Sequence, residues 1–174
     1  MTGTSHFLTG ALVTGMVVGE VSGTHELVWL APFAMIGGIS SLFPDLDATR
    51  SVIKYFKVQT PWRSLQPFRF IARLIHAGFG HRGAWHSLLA LIILFFLVSP
   101  VWALGYYKIF IAIILGYSTH LITDAMTKTG IPLLYPRQQR ISIFPRELRI
   151  TTGGFFEYLI VSIIGVLSLL WYIY

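Results

Sequence analysis

Five apolar runs set the terms for this chain: Phe7 to Gly19, Leu27 to Phe43, Trp85 to Leu104, Lys108 to Ala125 and Phe155 to Tyr174. Segments almost without ionisable side chains are stable in lipid only when their backbone amides are satisfied internally, as a helix or a closed barrel. Four of the runs approach the ~20 residues that a helix needs to cross a hydrocarbon core of about 30 Å. The first is shorter, and would cross as a tilted, protein-buried helix or one extended through Ser5 and Glu20. Its Gly10, Gly15 and Gly19, with the GMVVG spacing, suit close helix packing. Of the 174 residues, 55% are hydrophobic and 11% charged, against about a quarter charged in soluble domains. The expectation is an all-α, polytopic membrane helix bundle of about five spans forming a single domain over residues 1–174. The N-terminus, MTGTSH, has no basic n-region, so a cleaved secretory signal is not expected.

Charge placement orients the bundle. Except for Lys108, all 13 Lys and Arg residues fall in two loops, between the second and third runs and between the fourth and fifth. Positive residues favour the cytoplasmic side, which predicts the N-terminus in and the C-terminus out. Trp29, Trp102, Tyr106, Tyr107, Trp171, Tyr172 and Tyr174 then form an aromatic belt at the other face. Within the first basic loop, Phe68, Ile71 or Ala72, Ile75 and Phe79 recur at helical spacing opposite Arg69, Arg73 and His76. This predicts a cytoplasmic interfacial amphipathic helix lying against membrane lipids. In the second loop, RISIF and LRITT alternate around PRE and suggest a small hairpin.

Orientation brings polar groups to one depth. His6 opens the first run, Asp45 and Asp47 close the second, and His81 and His86 precede and open the third. His120 and Asp124 lie in the last turns of the fourth, and Glu157 opens the fifth. Each has an ordinary explanation on its own. His120 and Asp124 are an i, i+4 pair that could be a buried hydrogen bond; Asp45 and Asp47 could cap a helix; Glu157 suits a helix N-terminus. Together they are costly at a membrane border, where ionisable groups usually mark a site. An extended turn after Pro44 would put Asp45 and Asp47 on one side, while a loop broken at Gly83 would let His81 fold back toward His86 in the first helical turn. The chain has no Cys, so nitrogen and oxygen donors would hold one or two Zn, Mn or Fe ions.

These motifs carry a resemblance. HFLTG, PDLD at 44 to 47, HRGAWHS, GYSTHLITDAMTKTG followed by PLLYP, and TTGGFFE occur in order over most of the chain. In this the chain resembles the YdjM-like family of bacterial inner-membrane proteins, described as predicted membrane-bound metal-dependent hydrolases, with Trp85 and Thr119 as small departures. The resemblance implies a bacterial inner-membrane location and implicates His6, Asp45, Asp47, His81, His86, His120 and Asp124 as metal ligands.

Hydrolysis by metal-activated water is the expected chemistry, with Asp124 or Glu157 as general base. Arg82, Arg137 and Arg140 are expected to grip an amphiphilic anionic substrate such as a phospholipid or lipid-linked phosphoester, although topology alone also accounts for them. The rival reading is a metal-binding membrane protein with a structural, sensing or transport role. The outer halves of the runs hold few ionisable groups, which argues against transport. No nucleic-acid partner is expected, since the basic residues follow topology and no nucleic-acid module is present.

Overall fold

A computed structural model describes residues 1–47, 58–59, 64–65 and 84–173, with the side chains of 46–47, 58–59 and 64–65 outside the description. The expected amphipathic helix around Phe68–Phe79, and with it His81 and Arg82, lies outside these residues. The described chain is helical: α1 (Gly3–Ser22), α2 (Leu27–Ser40), α3 (Leu88–Ala103), α4 (Tyr107–Ala125) and α5 (Phe155–Ile173). A 3-10 turn covers Phe43–Asp47, and a two-residue hairpin pairs Val58–Gln59 with Ser64–Leu65. Each helix coincides with one of the apolar runs.

Three stretches are long and apolar enough to cross a membrane: Leu27–Asp45, Tyr107–Ala125 and Phe155–Ile173. Leu88–Ala103 is apolar but shorter. Helix α1 has the length, at 20 residues, but its buried face carries Ser5, His6, Thr9 and Thr14 among three glycines and Val18. It is a helix that needs protein around it, and α2, α4 and α5 all pack on it.

Two devices set the ends of α1. Thr2 accepts a bond from Ser5 N at 3.3 Å as N-cap, and Gly23 ends the helix at φ 63°, a left-handed conformation that costs glycine nothing. Backbones then meet at small residues. A Cβ placed on Gly116 of α4 would collide with the Gly37 backbone of α2, and one on Gly10 of α1 would lie 2.7 Å from Ser41 Cβ. The GMVVG pair works differently: Gly15 and Gly19 leave room for Tyr172 and Trp171 of α5. Close packing was the expectation there; aromatic side chains, not a neighbouring helix backbone, take up the space.

The loop after α4 folds back on that helix. Ile143 N donates to Ala125 O at 2.9 Å and Ile150 N to Met126 O at 3.0 Å, which satisfies carbonyls left over at the helix C-terminus. RISIF and LRITT therefore do not pair with each other. Ile141 bridges Ile131, Ile150 bridges Thr127, and Arg146–Leu148 forms a 3-10 turn between them. Carbonyls at the end of α4 compete for these strand-like segments and win. Ile131 and Ile150 are buried, and Ile131 joins Ala90, Tyr117, Leu121 and Ala125 in an apolar cluster between α3 and α4.

Candidate metal centre

Three imidazoles and two carboxylates meet where α1 begins and α2 and α4 end. His6 comes from the first turns of α1, Asp45 from the 3-10 turn after α2, His86 from the residue before the N-cap of α3, and His120 and Asp124 from the last turns of α4. His6 Nε2 lies 3.1 Å from Asp124 Oδ1. His120 Nε2 lies 3.6 Å from Asp124 Oδ2, and His86 Nε2 lies 3.3 Å from Asp45 Oδ1 and 3.9 Å from Asp124 Oδ2. Two triplets have donors within ligand-sharing reach: His6, His120 and Asp124, and Asp45, His86 and His120.

The outer nitrogens are fixed by hydrogen bonds. His120 Nδ1 lies 2.6 Å from the Ser41 carbonyl, which only accepts, so Nδ1 carries a proton and, in the neutral ring, Nε2 is a bare lone pair. Thr123 Oγ1 donates to the Thr119 carbonyl at 2.8 Å and therefore accepts from His6 Nδ1 at 3.0 Å. In the neutral ring His6 Nε2 is then bare as well. Both rings are stacked with centroids 3.8 Å apart, so their lone pairs point to neighbouring places. Ser41 also donates its hydroxyl to the His6 carbonyl at 2.8 Å, which joins the two histidines through one residue.

These donors fit a cation. His6 Nε2 is buried without a hydrogen-bond partner, although Asp124 Oδ1 lies 3.1 Å away. His86 Nε2 stands 3.3 Å from the bare His120 Nε2, a separation two lone pairs hold only with a proton or a cation between them. The Met1 ammonium lies against Asp124 Oδ1, so this carboxylate already attracts positive charge. Exposure is graded across the cluster. His6 and His120 side chains are 0% exposed, whereas Asp124 is 19% and Asp45 26% exposed, so the carboxylates form the accessible edge.

Several expectations need adjustment. The backbone of Asp45 and Asp47 follows a tight 3-10 path rather than an extended one, because Asp45 N bonds back to Leu42 O at 3.2 Å. Asp45 joins the cluster; the Asp47 side chain lies outside the description. His86 precedes α3 instead of sitting in its first turn, because Ser87 caps the helix by accepting from Ala90 N at 3.3 Å. His81 and Arg82 are outside the described residues. Arg137 and Arg140 are exposed, and Arg140 donates to the Thr129 carbonyl at 3.3 Å.

Glu157 is engaged elsewhere than in the two triplets. It is 0% exposed; its Oε1 accepts from Thr2 N and Thr2 Oγ1 at 2.8 Å each and from Ser5 Oγ at 2.5 Å, and its Oε2 accepts from Gly153 N at 2.9 Å. A carboxylate so saturated is a clamp. It holds the start of α1, one residue before His6, to the start of α5. Ser41 and Thr123, which set the imidazoles, escape a search for ligands because neither is ionisable. For Thr123 a signal exists, since it lies three residues after His120 and so faces the same side of α4.

The family described as YdjM inner membrane protein matches residues 1–174. The protein YvsG of Bacillus subtilis is 29% identical over 162 residues, 93% of this chain and 88% of that protein. The inner membrane protein YdjM of Escherichia coli is 32% identical over 108 residues, 60% of this chain and 50% of its own length, and that of Shigella flexneri matches to the same extent. No solved structure matches. With the match running from the first residue to the last, the chain belongs to the YdjM family of inner membrane proteins.

Proposed function

We propose that the chain is a multi-pass, metal-dependent hydrolase of the inner membrane, with a His/Asp centre on the cytoplasmic side, acting on an amphiphilic phosphoester such as a phospholipid or lipid-linked phosphate. The observation that carries this reading is the convergence of bare imidazole nitrogens on a partly exposed carboxylate edge. The two basic loops start at the same end of the helices as this cluster, which supports its cytoplasmic side.

His6, His86, His120, Asp45 and Asp124 would hold the ion or ions, a nitrogen and oxygen set that suits Zn, Mn or Fe. Bound there, such an ion supplies a Lewis acid and activates water at neutral pH. Asp124 turns Oδ1 toward His6 and Oδ2 toward His86 and His120, so its carboxylate would be within reach of both donor groups. His120 belongs to both triplets, so a second ion would need a further donor, for which Asp47 and His81 are the candidates. Asp45 and Asp124 reach solvent and can exchange a proton with it. Glu157 cannot do so while four donors occupy it, and its part is to hold α1 in place. Arg82, Arg137 and Arg140 remain the proposed grip on the substrate anion.

A closed structural ion is the competing reading, favoured by the full burial of His6 and His120; an open edge at Asp45 and Asp124 favours catalysis. The test has two parts. Protein purified in mild detergent is expected to retain about one or two equivalents of transition metal by elemental analysis, and His86→Ala to lose it. Incubated with inner-membrane lipid extracts, wild type and not His86→Ala should yield new products by mass spectrometry. Metal retained without turnover across a wide lipid panel would leave the structural reading standing and remove the hydrolase.

A further inference from the structure

Lys108 is the one basic residue outside the two basic loops, and the centre at the other end of α4 gives it nothing to do. It lines a half-open cleft of about 400 Å³ together with Ser22, Thr24, Glu26, Trp29, Leu30 and Phe33. That volume is at the lower end of the roughly 300–1,000 Å³ typical of small-molecule sites. The cleft lies between the C-terminal end of α1 and the N-terminal ends of α2 and α4. Ser22 of the cleft lies 16 residues along α1 from His6, which puts the cleft about 24 Å from the His/Asp cluster.

Two opposite charges share this cleft without pairing. Among the described residues, neither Glu26 nor Lys108 takes part in an ion pair. Glu26 occupies the N-cap position of α2 but makes no side-chain capping bond. Lys108 sits in the first turn of α4, where the helix dipole disfavours a cation, and its ammonium has the Tyr107 ring 5.9 Å away, a contact that leaves its charge uncompensated. The hydroxyl of Ser22, on the same wall, is buried without a hydrogen-bond partner. The dipole of α2 accounts for a carboxylate at Glu26, but helix stability explains neither Lys108 nor the partnerless Ser22 hydroxyl.

We propose that this cleft binds a zwitterion carrying a primary ammonium and a phosphate, namely the phosphoethanolamine headgroup of a membrane lipid. Glu26 takes the ammonium, Lys108 takes the phosphate, and Ser22 supplies a donor or acceptor within the cleft. The wall decides between a lipid and a soluble zwitterion. Leu27, Val28 and Trp29 continue it as exposed apolar surface, which an acyl chain covers and a free headgroup does not, and an indole beside a charged pair suits the membrane interface. The site is separate from the His/Asp centre and stands whether or not that centre is catalytic.

Native mass spectrometry of the full chain in mild detergent tests it, with phosphatidylethanolamine, phosphatidylglycerol and phosphatidylcholine titrated separately and glycerophosphoethanolamine added as competitor. Wild type should prefer phosphatidylethanolamine to phosphatidylglycerol by about tenfold, the worth of one good charged contact. Glu26→Gln should abolish that preference, and Lys108→Gln should weaken both lipids, with retained metal unchanged in each variant. No preference in wild type, or a preference that survives both substitutions, overturns the proposal. Glycerophosphoethanolamine that displaces the lipid at equal concentration overturns the lipid assignment in favour of a soluble zwitterion. Should either variant fail to fold, the wild-type ranking decides alone, since phosphatidylcholine lacks N–H donors for Glu26 and should bind more weakly.

Discussion

Helices α4 and α5 have the same length, 19 residues each, and both qualify as membrane spans, yet they belong to the protein in different ways. Helix α4 buries residues along its whole length, from Phe110 through Gly116 and His120 to Ala125. Helix α5 buries only Glu157 and Ser168 and turns Phe155, Phe156, Ile163, Val166, Leu167 and Leu169 outward. Hydropathy ranks α5 as the more apolar of the two. In a membrane protein the most apolar helix is the outermost one, because lipid rewards apolar surface as well as a core does. Polar residues mark the inner helix. The contribution of α5 to the centre is thus concentrated in a single carboxylate.

Breaking the inner helix should have the largest effect. Asp124→Ala leaves three imidazoles without the carboxylate between them, and metal affinity should fall by more than about 100-fold, read by elemental analysis after dialysis. Full retention would show that α4 does not carry the centre. On the outer helix, Glu157→Gln keeps the shape but turns an amide N–H₂ or a weaker acceptor toward groups that all donate. Metal affinity should drop about tenfold to 100-fold through the shift of His6, with a thermal stability loss of about 1–3 kcal/mol. If Glu157→Gln changes stability but not metal affinity, the clamp does not reach the centre.

Gly116→Ala comes next. Its new methyl meets the Gly37 backbone and should cost about 1–3 kcal/mol by thermal unfolding in detergent, while the same substitution at Gly165 of α5, where a Cβ would meet nothing nearer than 4.0 Å, should not destabilise. Leu167→Ala, on the lipid side of α5, should have the smallest effect, within about 0.5 kcal/mol and with metal content unchanged. A large loss there would mean that α5 has a protein partner on its outward face.

Helix positions were legible because apolar runs and their polar breaks are one-dimensional signals. So was the set from which the cluster is drawn, because ionisable groups are scarce in such a chain. The division of labour was not legible. Asp124 and Glu157 look alike in sequence, each a carboxylate near a helix end on one side, and only packing separates the one facing imidazoles from the one filled by Thr2, Ser5 and Gly153. The turn at Asp45 depended on a bond to Leu42 that no spacing announces. The second basic loop read as a hairpin because alternation says that a segment pairs, not with what; the free carbonyls ending α4 were the stronger claimant.

Ser41 gives one hydroxyl to the His6 backbone and one carbonyl to the His120 ring, while Gly10, Gly37 and Gly116 leave the three helices around it no slack. The two imidazoles therefore behave as one jaw of a vice whose opening was set when the helices packed. For the proposed metal centre this means that an ion would not have to gather its donors, since the entropy of ordering them is already spent in folding.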